Sequence, residues 1–223
     1  MKYLAALLIA IALPLSAQEF IASNGPLTDD DFYNTVACGA RPGGECQAPY
    51  VRWVRQNGKA ITVAFQPVPA TYPARLERAL SFSLDRAIQQ LNNTTSTIQL
   101  RRTYKSASAD ISIYLQNIVA GDDITGIGVH ELEGVPIGAA IVQVWWNNGL
   151  EITEAVIVFA SDIPLDEADS IMLEELTQGL GLLTDIRNPF YNDRSIFSED
   201  TNSVRKLGPQ DRMAIARHYS NRN

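Results

Sequence analysis

The sequence predicts an α+β fold, a mixed sheet with packed helices in a single domain. Three observations carry this. Strand-like and helix-like segments intermix along the chain, with no linker long enough to divide it. Asn147-Asn148-Gly149 joins two apolar runs, a tight-hairpin signal. Of the 223 residues 46% are hydrophobic and 19% charged, an ordinary globular composition that can bury a sizeable core.

Residues 1–17 are expected to be a secretory signal rather than part of the fold. Lys2 precedes an apolar run from Leu4 to Leu13, and Pro14-Leu15-Ser16-Ala17 supplies a small-residue end. The run is shorter than the roughly 20 residues that span a bilayer. Cleavage after Ala17 removes Lys2 and takes the charge from −7 to −8. The expected location is secreted or periplasmic, with no integral membrane segment after cleavage. Residues 18–49 read as an irregular lead-in, polar and punctuated by Gly and Pro. Within it Cys38 and Cys46 bracket a short Gly/Pro loop, and an even count in an oxidising compartment predicts a disulfide. Such a ring stabilises by roughly 2–3 kcal/mol on the chain-entropy model.

Residues 50–223 form the expected domain proper. Val51–Val54 and Ala60–Phe65 read as strands around an Asn57-Gly58 turn; Ile61, Val63 and Phe65 alternate with more polar neighbours. Pro73–Leu91 is a helix, with Leu76, Leu80, Leu84, Ala87, Ile88 and Leu91 as its stripe and Pro73 in its first turn. Strands follow at Thr97–Tyr104 and Ala109–Leu115, then a Gly-rich loop from Gly121 to Gly134. The hairpin strands are Ile137–Trp146 and Ile152–Phe159. Leu165–Leu183 reads as a helix, 184–205 as a polar loop and Pro209–Tyr219 as a last helix.

Charge and histidine content exclude several functions. With 18 Lys and Arg against 25 Asp and Glu, the acidic surface disfavours nucleic acid as a partner. His130 and His218 are the only histidines, so a site of three imidazoles is excluded. No G-x-S-x-G elbow, phosphate-cradling loop or C-x-x-C pair is present.

Chemistry concentrates in Glu174-Glu175-Leu176-Thr177-Gln178-Gly179-Leu180-Gly181. Glu174, Gln178 and Gly181 share one helix face, and oxygen-bearing groups one turn apart can grip one ion. Gly179 and Gly181 each cost about 1 kcal/mol in a helix, pointing to close packing or to a turn that leaves it. This stretch resembles the active-site helix of the zincin metallopeptidases, most closely the metzincin pattern HExxHxxGxx. Ala109-Asp110-Ile111 resembles the strand before the edge hairpin in those enzymes, Ser195-Ile196-Phe197 their Ser-Ile-Met turn, and Leu207–Tyr219 their final helix. The chain is also similar to an uncharacterised family of secreted bacterial domains with EExxQ in place of HExxH, to which no activity is assigned.

The departures from that pattern shape the functional expectation. Both zinc-binding histidine positions of the helix are replaced, by Glu174 and Gln178; Thr184 stands at the third ligand position, with Asp185 beside it, and Phe197 replaces the Met. Only Glu175, the general-base position, is retained. Glu174, Gln178 and Asp185 form an oxygen-only set unsuited to zinc; a hard metal ion is the cofactor they could hold, though such ions want about six ligands. The resemblance therefore implies a secreted pseudo-peptidase, a non-catalytic binding or scaffolding module of the cell envelope whose partner is a peptide or envelope protein, or else a divergent metal-dependent hydrolase with Glu175 as catalytic base. A third reading makes the acids purely structural, paired with Arg187, Arg194 or Arg205. Trp145 and Trp146 should point one ring to each face, one into the core and one onto a binding surface.

Overall fold

A computed structural model of the protein describes residues 20–55 and 59–220. The expected signal segment and the Asn57-Gly58 turn lie outside the described residues. Among the described residues the fold is mixed α/β, with four α-helices, a five-stranded sheet and a two-stranded sheet.

The chain enters through β1 (Phe20–Ala22) and α1 (Asp29–Cys38). The large sheet contains β2 (Ile61–Phe65), β3 (Leu100–Arg102), β4 (Ile111–Leu115), β5 (Ala140–Trp146) and β6 (Ile152–Phe159). Its order is β3-β2-β4-β6-β5, every pair parallel except the β5–β6 hairpin. The crossover from β2 to β3 is α2 (Ala74–Asn92); α3 (Ala168–Gln178) follows the hairpin. Then β7 (Asp185–Arg187) pairs in parallel with β1, and α4 (Pro209–His218) packs on α1.

The pattern of side chains explains the two faces of the large sheet. On one face α2 buries Leu76, Leu80, Leu84, Ala87 and Leu91, the expected stripe, in the main core that α3 shares. On the other, the Gly-rich loop buries Ile124, Leu132 and Ile137 against Val156, Val158 and Ala160 of the hairpin. Strands covered on both faces read as near-continuous apolar runs, as β4 and most of β6 do.

Five expectations need correction. The lead-in at 18–49 is not irregular, because it carries β1 and α1. Thr28 caps that helix, its Oγ1 accepting from Asp31 N–H at 3.1 Å, and Phe32, Tyr33 and Val36 are buried. The Cys38–Cys46 disulfide is present and starts from the last residue of α1. Val51–Val54 makes only an isolated bridge, Arg52 to Glu151, because Trp53 turns inward and donates to Gly179 O at 2.9 Å. Thr97–Tyr104 shrinks to β3, where the Asn92 side chain takes both backbone groups of Leu100, at 2.8 and 2.9 Å. The helix expected at Leu165–Leu183 runs from Ala168 to Gln178, and the segment after it is not all loop, since β7 lies there.

The C-terminal limit of α3 is set by Gly181. Its φ is +100°, in the left-handed region, and a Cβ there would stand 2.0 Å from Val51 O and 3.1 Å from His218 Nε2. Gly181→Ala should therefore destabilise by about 3 kcal/mol. Gly126→Ala, also at positive φ but with open space around its Cβ, should cost about 1 kcal/mol from the conformation alone. Thermal unfolding of both variants measures this; equal losses would discount the Val51 contact.

Candidate functional site

Helix α3 has almost no solvent-facing side: of its eleven residues only Asp169 escapes burial, and Glu174, Glu175 and Gln178 are each at least 92% buried. It packs between α2 and β5. Its N-terminal end is fastened by Asp169, which accepts from Ser83 Oγ at 2.5 Å and pairs with Arg86 of α2. Ser170 Oγ donates to Val204 O at 2.7 Å. At the C-terminal end the freed carbonyls find partners: Gly179 O takes Trp53 Nε1–H, and Leu180 O takes Tyr219 O–H at 2.5 Å.

Asp185 is brought to this helix by a relay of turns. Buried Asp211, third residue of α4, accepts from Ser195 Oγ at 2.6 Å, Ile196 N–H at 3.2 Å and Gly208 N–H at 2.7 Å. That fixes the Ser195–Phe197 turn, whose Phe197 ring packs edge-on to Phe32, centroids 6.1 Å apart. Phe197 O accepts Ile186 N–H at 2.7 Å, which positions β7 and with it Asp185. Thr184 is held from α1, its N–H donating to Val36 O at 3.2 Å.

The three residues expected to share a site do meet. Gln178 Nε2 donates to both Asp185 oxygens, at 2.9 and 3.2 Å. Burial, and then the charge of Asp185 and its hydrogen bond, hold Glu174 well above the usual carboxyl range. Glu174 thus favours its protonated form, in which it hydrogen-bonds Asp185. Glu199, whose charge also reaches Glu174, pairs with Arg187 at 2.9 Å; the sequence reading missed it because it lies far along the chain in a polar stretch.

Among the described residues no group of three or more His, Cys, Asp or Glu side chains is arranged to hold a metal ion. The Gln178 amide offers N–H donors to Asp185, and Glu174 favours its protonated form. A hard cation would have to expel that proton and turn that amide, so this donor set fits a proton-sharing network better than an ion cage.

Glu175 differs from its neighbours. Burial alone pushes its carboxyl up to about 8, and its Oε2 is buried without a hydrogen-bond partner. Neither Glu174 nor Glu175 takes part in an ion pair among the described residues. Arg187 binds Glu199 and Asp200, and Arg194 binds Asp193. An open cavity of about 1030 Å³ borders Glu199, Asp200 and Arg205, but its walls do not include the α3 acids.

The other expected positions are accounted for. Trp145 packs with Ile141 on the loop-covered face, while Trp146, at a bulge, is 43% exposed. Asp110 is a clamp, accepting Thr62 N–H and Oγ1–H at 2.7 Å each and pairing with Arg55 at 2.6 Å. His130 is exposed; His218 is buried between Tyr33 O–H and Val51 O.

The chain belongs to the family described as Protein of unknown function (DUF2927), which matches residues 45–222. No curated protein matches it. No helix among the described residues is long and apolar enough to cross a membrane.

The raised carboxyls set a pH dependence of stability. A group whose folded pKa lies above its unfolded value contributes fully below the unfolded pKa, and that contribution is lost as pH rises through the folded one. For Glu175 the window runs from 4.5 to about 8. The protein should lose about 3–5 kcal/mol across it. Glu175→Gln should remove much of that fall, and adding Glu174→Gln most of the remainder. Urea unfolding at a series of pH values measures it; an unchanged slope in Glu175→Gln would refute the assignment.

Proposed function

We propose that the protein is an extracytoplasmic peptide-binding module on a zincin-like, pseudo-peptidase framework, with an extended peptide adding to the free edge of β5. The observation that carries this reading is the phase of the edge strand. β5 ends the large sheet. The Ala160 N–H to Ala139 O bond, 3.0 Å, makes Ala140–Phe159 a non-hydrogen-bonded pair. The N–H and C=O groups of Ala140, Val142 and Val144 therefore point away from β6, toward the open side. A peptide strand needs such a row, and binding through it requires no metal. Exposed Trp146 and Leu150 at the hairpin end offer apolar contacts, and Glu151 and Glu154 favour a peptide without excess acid.

Further support comes from the order of elements. Parallel strands, an antiparallel edge hairpin, a buried EExxQ helix and a Ser195–Phe197 turn held by the final helix follow the order the resemblance implies. The leader-like residues 1–17 and the disulfide support secretion or a periplasmic location.

Val142→Pro removes one outward N–H without breaking a bond to β6, so the fold should survive. Against an array of short synthetic peptides, the wild type should capture a subset in extended conformation and Val142→Pro should lose it. Binding that persists in a folded Val142→Pro would end the strand-addition reading.

A second reading, hydrolysis with Glu175 as general base, rests on the buried carboxyl near pKa 8 with an unpartnered oxygen. Elemental analysis of protein purified without chelator, wild type against Glu174→Ala/Gln178→Ala, decides it together with peptide turnover. A stoichiometric metal lost in the double variant, with turnover abolished by Glu175→Ala, would replace the binding reading. Absence of turnover leaves the binding module.

A further inference from the structure

Charge is distributed unevenly around the sheet. Residues 74–105, which comprise α2, β3 and their connection, hold six Arg and Lys against two Asp and Glu. That is a local +4 in a chain of −7, leaving −11 elsewhere. Within this basic face stand two of the most exposed large apolar side chains, Phe82 at 62% and Tyr104 at 93%.

The residues belong to one surface. Arg75, Arg78 and Phe82 follow at i, i+3 and i+7 on the outward side of α2, all exposed. The Arg102 guanidinium reaches from β3 to Ser81 O at 3.1 Å and Ser81 Oγ at 2.8 Å, and lies 5.9 Å from the centre of the Tyr104 ring. It thereby holds the helix turn bearing Phe82 beside the strand end bearing Tyr104. Arg102 and Arg86 are paired, with Asp85 and Asp169. Arg75, Arg78 and Lys105 are exposed and take part in no ion pair among the described residues, while Arg101, between Leu100 and Arg102 on β3, projects from the other face of the sheet.

We propose that the α2–β3 face is a peripheral docking surface for an anionic lipid bilayer. Cations on the outward side of a helix, with aromatic rings projecting among them, match the headgroup zone, where Lys and Arg meet phosphates and Phe and Tyr enter the acyl boundary. The two rings stand apart among charges and form no continuous apolar patch of the kind a protein interface buries at its centre. The net acidity of the rest of the chain does not oppose this contact. Charges on the far side of the molecule lie beyond the screening length of about 8 Å at physiological salt.

Co-sedimentation of the full mature chain with vesicles tests the proposal. Vesicles of phosphatidylcholine mixed with phosphatidylglycerol should carry the protein down at low salt, and phosphatidylcholine alone should not. The bound fraction should collapse near about 1 M salt, where screening shortens to about 3 Å. Phe82→Ser/Tyr104→Ser and Arg75→Glu/Arg78→Glu replace exposed side chains and should keep the wild-type melting temperature. Each should lower partitioning by about tenfold or more. Equal binding to neutral vesicles, no binding to either, or full binding by both variants would overturn it. So would a mass by sedimentation equilibrium showing that the face is occupied by a second copy of the chain.

Discussion

A helix that carries two glutamates and a glutamine, and yet has almost no solvent-facing side, must hand every polar group on it to another part of the chain. Much of the architecture around α3 follows from that need. Its last carbonyls go to Trp53 and Tyr219, one from before the first strand of the large sheet and one from the end of the chain. Its first turn goes to α2 through Asp169. Glu174 and Gln178 go to Asp185, which β7 presents because β1, Phe197 and Asp211 hold β7 there. Removing any one of these partners leaves a buried polar group unmet, so elements remote in sequence are bound to one another through this helix.

Glu175 is the exception, and its chemistry is correspondingly different. Its neighbours settle their burial by sharing a proton or by accepting amide hydrogens. Glu175 settles its own by staying neutral, which is why desolvation alone accounts for its raised pKa. A neutral carboxyl with a pKa of about 8 can exchange a proton near neutrality. The hydrolytic reading draws on this group, whereas the binding reading rests on the β5 edge. Among the described residues Gln178 gives its amide hydrogens to Asp185 and not to Glu175.

Local pattern disclosed the parts of the fold that local physics determines. The α2 stripe, the Asn147–Gly149 hairpin and the alternation in β2 are set by side-chain periodicity and turn chemistry, and all three were legible. β1, β7 and the shortness of β3 were not, because three-residue strands carry too little periodicity and depend on partners far along the chain: Phe20 pairs with Asp185, and Asn92 clamps Leu100. α1 was obscured by its polar first turn, although Thr28 followed three residues later by Asp31 is a capping signal. At the site, the helix acids and Asp185 were legible from spacing and resemblance. Glu199 and Asp211 were not, since nothing in a polar loop or a Gly-Pro helix start says which carboxylate will be buried.

The two free edges of the large sheet have opposite character, and this bears on how the molecule is oriented in use. The β5 edge adjoins α3 and the acid-bearing hairpin end, and Ala140, Val142 and Val144 leave their backbone groups unpaired by any strand. The β3 edge is short, and Arg101 and Arg102 stand on it, the kind of charge that blocks strand pairing. A sheet protected at one margin and open at the other takes an added strand on one side only. With the basic, aromatic-bearing face turned to an anionic surface, the open β5 margin, at the other end of the strand order, would remain available to an extended chain.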